Sequence, residues 1–144
     1  MIAGMFNGGA MPVLERLVQF TGARHRVIAE NVANLSTPYY RPKDLSVAHF
    51  REQLGRAVEA RRASRTPNTG PLELRSTRQL AFRPDGLTAR PEPLDENVMF
   101  HDRNNRDLER VMQDLAENTL THNAGVAMLK NQFDLLKMAI RETP

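Results

Sequence analysis

The sequence predicts a mainly α-helical fold, in which long N- and C-terminal helices form a coiled-coil-like pair around a proline-rich, irregular middle. Three observations support this prediction: an apolar seam near the start, a longer apolar seam near the end, and the crowding of proline between them. Seven of the nine prolines lie between Pro38 and Pro93. Because proline interrupts regular structure, we divide this single unit into a flexible lead (1–11), an N-terminal helix (12–36), a variable middle segment (37–103) and a long C-terminal helix (104–144).

The N-terminal helix is predicted from its start signal, its period and its stop signal. Pro12 suits the first helical turn, where its missing N–H removes no hydrogen bond. Steps of alternately four and three residues, typical of a helix that packs against another, join Leu14, Val18, Thr21, His25, Ile28, Val32 and Leu35. The helix ends before Pro38, because proline pushes the preceding residue out of the α region.

The C-terminal helix shows the same period over a greater length. Asp107 can cap it or place a favourable charge in its first turn. At 1.5 Å per residue the seam predicts a helix of about 50 Å, which we expect to project or to lie along a partner. Additional apolar residues, Met128 and Met138 among them, widen the face enough for more than one neighbouring helix. The seam consists of Leu108, Met112, Leu115, Thr119, His122, Val126, Leu129, Phe133, Leu136 and Ile140.

Both seams turn polar at their middles, at Thr21 and His25 in the first and at Thr119 and His122 in the second. Two interpretations stay open. The residues are either tolerated positions that lean toward the surface, or a paired polar layer that fixes the register between the helices or between subunits.

The middle segment is predicted to hold one short helix between residues 44 and 63. Residues 72–74 and 79–82 have the composition of short strands, which leaves a short β-hairpin as an option. The remaining composition fits a segment that orders only against partners. Its basic residues, Arg61, Arg62 and Arg65 among them, fit a solvated loop better than a nucleic-acid footprint, because no aromatic residues are interleaved with them.

The residue inventory argues against catalysis and against a bound cofactor. The chain has no cysteine, which excludes disulfides and thiolate metal sites. Its four histidines lack metal-ligand spacing, and neither a phosphate-binding loop nor a nucleophile elbow is present. Residues 1–11 do not form a cleavable signal peptide and no stretch has transmembrane length, so we expect a protein that is cytoplasmic or is exported by a route without signal cleavage.

The motif at residues 29–41, Ala-Glu-Asn-Val-Ala-Asn-Leu-Ser-Thr-Pro-Tyr-Tyr-Arg, is similar to the N-terminal signature of the flagellar rod and hook proteins. In that signature Ala-Asn-Asn-Ile-Ala-Asn is followed, after two residues, by Thr-Pro-Gly-Tyr-Lys. Glu30 stands where Asn is usual. Tyr39 stands where Gly is usual, so a turn that needs positive φ must be built differently or carry strain. The matching positions are Ala29, Asn31, Val32, Ala33, Asn34, Thr37, Pro38, Tyr40 and Arg41.

Residues 102–140 are similar to the C-terminal region of the same family, which begins Gly-Asn-Asn-Val-Asp-Leu-Glu and ends in a helix. Arg103 and Arg106 replace the Gly and the Val. A chain of 144 residues with a short middle resembles the short proximal rod proteins of the family, because hook and distal-rod members are much longer. The matching positions include Asn104, Asn105, Asp107, Leu108, Glu109, Met112, Asn118, Phe133, Leu136, Lys137, Ala139 and Ile140.

The resemblance implies a non-enzymatic structural subunit of the bacterial flagellar basal body. Such a subunit leaves through the flagellar type III export apparatus and polymerises through its terminal helices, in the periplasm, into the axial tube that transmits torque. The implied partners are other copies of the chain, neighbouring rod proteins, the adaptor FliE and the export apparatus. The alternatives are a sister protein of the proximal rod, a non-flagellar cytoplasmic helical adaptor and a basic nucleic-acid-binding module. The last two leave the joint occurrence of both motifs unexplained.

The resemblance and the seams together select a set of assembly residues. Asn31 and Asn34, beside the small Ala29 and Ala33, are expected to permit close approach and hydrogen bonding across a helix interface, although Asn34 can instead cap the helix end. The full set consists of Ala29, Asn31, Val32, Ala33, Asn34, Thr37, Pro38, Tyr40, Asn105, Asp107, Leu108, Met112, Leu115, Val126, Leu129, Phe133, Leu136 and Ile140.

Overall fold

The computed structural model describes residues 8–65, 67, 69–70, 72–83, 86–93 and 108–141. Within these ranges the chain is mainly helical, with long terminal helices and a short hairpin in the middle, as predicted. The elements in chain order are α1 (Met11–Ala33), β1 (Lys43–Asp44), α2 (Val47–Arg62), β2 (Leu80–Arg83), β3 (Gly86–Ala89), β4 (Glu92–Pro93) and α3 (Leu108–Arg141).

Helices α1 and α3 pack against each other in antiparallel directions. Gly125 lies against Val18, His122 against Thr21, and Asp114 against Arg24, so that higher numbers on α1 meet lower numbers on α3. Because α3 has 34 residues and α1 has 23, α3 is longer by roughly 16 Å. The predicted pair of terminal helices therefore forms within one chain, and a large part of α3 is left for other contacts.

The apolar core lies between α1 and the middle segment. Phe20 and Phe50 stack with ring centroids 4.0 Å apart and nearly parallel planes. The expectation that the middle orders only against partners is therefore wrong, since α2 and β2 bury apolar side chains against α1. The core residues are Phe20, Ala23, Val27, Leu45, Phe50 and Leu80.

The strands differ in part from the prediction. β2 overlaps the predicted strand at residues 79–82 and pairs antiparallel with β3, with Leu80 opposite Ala89 and Arg83 opposite Gly86. Residues 72–74, the other predicted strand, have no regular structure. The short strand β1 pairs antiparallel with β4, with Lys43 opposite Pro93. The middle is therefore tied together by two small two-stranded sheets.

Arg16 fastens the hairpin to α1. Its guanidinium donates to the carbonyl oxygens of Arg83 and Gly86 at 3.0 and 3.3 Å. These two residues pair with each other in the hairpin.

No helix in the described part of the chain is long and apolar enough to cross a membrane.

Candidate assembly site

Asn31, the central residue of the N-terminal motif, is buried and bonds to groups of its own chain. Its side-chain Nδ2 donates to the Lys43 carbonyl at 2.7 Å, and its Oδ1 accepts from the Lys43 N–H at 3.0 Å and from the Tyr40 hydroxyl at 3.1 Å. The side-chain amide of Asn31 thus pairs with the backbone N–H and C=O of Lys43 as a residue of a neighbouring strand would. This pairing holds β1 beside the end of α1. The expectation that Asn31 bonds across a helix interface is therefore wrong.

Tyr40 completes this connection. Burial, together with the nearby Glu30 carboxylate, raises the pKa of Tyr40 above its ordinary value. The phenol therefore stays neutral at physiological pH and keeps the proton that it donates to Asn31.

Asn34 ends α1. Its backbone N–H and its Nδ2 both donate to the Glu30 carbonyl, at 3.1 and 2.9 Å, and its own carbonyl accepts from the Thr37 N–H at 2.9 Å. Asparagine satisfies terminal carbonyl groups of a helix in this way. The capping interpretation of Asn34 is therefore confirmed, and α1 ends at Ala33, three residues earlier than predicted.

Tyr39 occupies the turn position at which the family pattern has glycine. Its φ is 63°, and it is the only residue other than glycine with positive φ in the described part of the chain. The backbone of this turn therefore adopts the left-handed conformation that glycine would adopt, and at Tyr39 that conformation is strained because the residue has a Cβ. Its side chain is 75% exposed, and Ala29, Ala33, Thr37 and Pro38 around it are also exposed, while Val32 is half-buried.

Arg24 forms a buried ionic connection that sequence reasoning missed. Its guanidinium bonds to both carboxylate oxygens of Asp44 at 2.9 and 2.7 Å and to Asp114 at 3.1 Å, and so joins α1, β1 and α3. Burial alone would lower the pKa of Arg24, but the two carboxylates outweigh burial and the net shift is upward. The sequence did hold a signal for this burial. Arg24 lies three residues before Val27 and four before Ile28, which places it on the apolar face of α1.

The polar layer is partly present between α1 and α3. Thr21 Oγ1 and His122 Nδ1 lie 2.8 Å apart, and Asn118 Nδ2 donates to the Thr21 carbonyl at 2.9 Å. The pairing interpretation therefore holds for Thr21 and His122. His25 is exposed instead, and Thr119 donates to Leu115 of its own helix at 2.7 Å.

The face of α3 that packs on α1 is offset from the predicted seam. Asn118 and Gly125 are the buried residues described on this helix, and neither belongs to that seam. Leu115, Leu129 and Leu136 are half-buried at the edge of the contact. The outer seam residues are 38–57% exposed and form what we name the first stripe: Leu108, Met112, Val126, Phe133 and Ile140.

Gly125 explains the offset. A Cβ at this position would lie 3.2 Å from Val18 Cγ2 and 3.4 Å from Leu17 Cδ2, which leaves no slack for a larger side chain. The two helices are therefore in closest contact where α3 has a residue without a side chain and polar residues that bond to α1.

Asn105 and Asp107 lie outside the described residues, so their predicted roles stay predictions.

A second set of apolar residues is exposed on α3. We name Met128, Leu135 and Met138 the second stripe, and their side chains are 52–55% exposed. On a helical wheel this stripe lies on the opposite side of the α1 contact from Val126 and Phe133. Helix α3 therefore presents apolar surface on both flanks.

The described residues include no cluster of His, Cys, Asp or Glu that could hold a metal ion.

The antiparallel terminal helices, the asparagine-fastened turn and the exposed apolar stripes are features of a helical structural protein. No protein-family model matches the chain. It is similar to proteins named flagellar basal body rod protein FlgB from two strains of Cereibacter sphaeroides, at 29% and 28% identity over 120 residues, which cover 82% of this chain and 83% of each relative. These similarities support a flagellar basal-body rod protein related to FlgB. Its length and motifs also admit the sister proximal rod protein FlgC, but they fit FlgB better, and the comparisons agree.

Proposed function

We propose that the chain is a structural subunit of the proximal rod that polymerises through its terminal helices into the axial tube. The observation that supports this proposal most directly is the exposure of the first stripe along α3. Large apolar side chains exposed along one flank of a helix are unfavourable in water and mark a contact with another protein. A neighbouring helix at heptad spacing would cover it.

The second stripe suggests how subunits follow one another. A helix that is apolar on both flanks can contact two neighbours, with the first stripe of one copy on the second stripe of the next. Head-to-tail contacts of this kind close into rings or continue as helical filaments, whereas a contact of one stripe with itself ends at a dimer. A continuous helical array of such contacts would transmit torque along the tube.

The surroundings of the subunit follow from the same proposal. The chain would leave the cytoplasm through the flagellar type III export apparatus without signal cleavage and would assemble in the periplasm. Its partners would be other copies, neighbouring rod proteins, FliE and the export apparatus. Nucleic acid is not a partner in this proposal, and the buried arginines are consistent with that, since Arg24 bonds to carboxylates and Arg61 donates to the Gly9 carbonyl.

The proposal is tested by serine substitution in the first stripe. Val126→Ser combined with Phe133→Ser should abolish motility and incorporation into basal bodies while leaving expression intact, because both side chains are exposed in the monomer. The control is Asn123→Ser, which alters an exposed polar position of the same helix outside both stripes. Wild-type motility in the stripe variant would contradict the proposal and favour the helical-adaptor alternative.

Cysteine cross-linking tests the mode of contact, and the absence of native cysteine keeps the readout clean. Copies with Phe133→Cys are mixed with copies with Leu135→Cys and are oxidised under assembly conditions. Cross-links between the two variants should exceed those within either variant alone. Assembly with cross-links only between identical variants would retain the rod function and reject the head-to-tail contact.

A further inference from the structure

Residues 72–75 have the character of a strand without a partner. Along this segment Leu72 is buried, Glu73 exposed, Leu74 half-buried and Arg75 exposed, which is the alternation of a strand with one face on the core. Among the described residues, no backbone N–H or C=O group of this segment pairs with another segment. An edge of this kind is a template for pairing with a further strand.

Open space lies beside this segment. A cavity of about 490 Å³ separates Glu73, Leu74 and Arg75 from α2, where the small side chains of Ala57 and Ala60 form part of its wall. Cavities of about 300–1,000 Å³ are of the size at which proteins hold ligands. A short segment of another chain therefore has room to lie along this edge.

Two charged side chains of the segment are left without a counter-charge. Arg56, which also lines the cavity, is paired with Glu52 of its own helix. Glu73 and Arg75 form no ion pair in the described part of the chain. They are two residues apart and so lie on the same face of the segment. A partner strand matches this face when it places a cation opposite Glu73 and an anion opposite Arg75.

We propose that residues 72–75 of two copies of the chain pair as antiparallel strands centred on Leu74. In this register Leu74 lies opposite Leu74 of the second copy, and Glu73 of each copy lies opposite Arg75 of the other. Pairing centred on Glu73 or on Arg75 would set like charges opposite each other, which is unfavourable. The contact does not use the stripes of α3. Because the same edge meets itself, it ends at a dimer.

The test is sedimentation velocity of the full-length chain over a series of concentrations. The wild type should form a reversible dimer. Glu73→Arg or Arg75→Glu alone should weaken the dimer by about tenfold or more, because each change sets two pairs of like charges opposite each other. A mixture of the two single variants should recover the wild-type affinity as a heterodimer, since both pairs then join opposite charges. No dimer of the wild type, or a mixture no more associated than its components, would overturn the proposal.

The register has a separate signature, which the absence of native cysteine makes readable. Two copies with Leu74→Cys should form a disulfide with each other, because residues directly opposite in antiparallel strands are close enough for one. Two copies with Ser76→Cys should not, since Ser76 lies opposite Leu72 and the two cysteines would be roughly 13 Å apart. Equal cross-linking of the two variants would reject pairing centred on Leu74.

Two controls separate this contact from other association. Arg90→Glu makes the same change of charge as Arg75→Glu at an exposed residue outside the segment and should leave the dimer unchanged. Val126→Ser combined with Phe133→Ser should also leave it intact, so that failure of this inference and failure of the proposed rod function are distinguishable. Loss of the dimer in either control would mean that the copies associate through another surface.

Discussion

Thr21 Oγ1 on α1 lies 2.8 Å from His122 Nδ1 on α3, across a contact that joins residues 101 positions apart in the chain. The same hydroxyl lies 2.9 Å from the Leu17 carbonyl of its own helix. If the hydroxyl donates to Leu17, the imidazole must donate from Nδ1 to Thr21, so the two bonds together select one tautomer of His122. This pair, with Asn118 beneath it, fixes the register of the two terminal helices.

Thr21→Val should destabilise the chain by about 1–2 kcal/mol, because the shape is kept while half-buried His122 loses its partner. The free energy of unfolding is measured by urea denaturation followed by circular dichroism. Thr119→Val serves as the control, since the Thr119 hydroxyl bonds only within α3. Equal losses in the two variants would mean that the bond across the helices adds nothing to the stability of the pair.

Asp44→Asn should cost more stability than Asp114→Asn. Asp44 holds Arg24 through two hydrogen bonds with its side chain 19% exposed, whereas Asp114 makes one bond at 32% exposure. Each substitution removes charge-assisted hydrogen bonds from a guanidinium that keeps its other carboxylate, so we expect a loss of about 1.5–3 kcal/mol, and water reduces that loss at the more exposed position. Urea midpoints of the two variants check this order.

An outcome in which Asp114→Asn is the more damaging change would contradict this account of Arg24. The direct control is Arg24→Met, which removes the positive charge and keeps the volume. It should cost at least as much as Asp44→Asn, since it leaves the carboxylates of Asp44 and Asp114 close together without a counter-charge.

Gly55 and Gly125 both lie within helices, but only Gly125 lies against another helix. Substitution of each by alanine therefore separates the effect of helix propensity from the effect of the contact between helices. Gly55 lies within α2 with no atom within 4 Å of an added Cβ, so Gly55→Ala should stabilise the chain by about 0.8–1 kcal/mol. At Gly125 the same gain is opposed by contact with Val18, whose β-branched side chain has little freedom to move.

Gly125→Ala should therefore stabilise the chain less than Gly55→Ala, and Gly125→Leu should separate α1 from α3. Thermal unfolding of the three variants, followed at 222 nm as an indicator of helix, measures the difference. A gain at Gly125 as large as that at Gly55 would show that the two helices are not in close contact there.

Local signals predict the elements of this fold better than they predict its contacts. Pro12 and Pro38 bracket α1 because proline acts on its own neighbours, and the α3 seam predicts a helix because the period is local. The face that α1 and α3 share could not be predicted in the same way. It depends on the absence of a side chain at Gly125 and on partners for Asn118 and His122 that lie about a hundred residues away, whereas the apolar seam is as well suited to a neighbouring subunit.

The same distinction explains the error at Asn31 and the omission of Arg24. Asn31 was expected to contact another helix, and Arg24 was not singled out at all. Their partners, the Lys43 backbone and Asp44, belong to the short strand β1, which has two residues and no periodic pattern of its own. A segment that short becomes visible only when the chain is folded.

Tyr39→Gly should raise the stability of the chain relative to Tyr39→Ala by about 1 kcal/mol. A side chain in the left-handed region costs about 1–2 kcal/mol, and the greater freedom of glycine in the unfolded chain returns part of that cost. Alanine keeps the Cβ and therefore the strain, so the comparison of the two variants isolates the backbone term. Little packing is lost in either variant, because the ring is 75% exposed. Urea denaturation of both variants measures the difference.

Strain persists where another requirement holds it in place, and the exposed ring of Tyr39 lies among the exposed residues of the N-terminal motif. We therefore expect Tyr39→Gly to yield a more stable monomer that enters basal bodies less efficiently than the wild type. Tyr39→Phe, which keeps the ring and the strain, is the control and should assemble normally. If Tyr39→Gly assembles as well as the wild type, the ring makes no contact with a neighbouring subunit and the strain at this turn serves no assembly role.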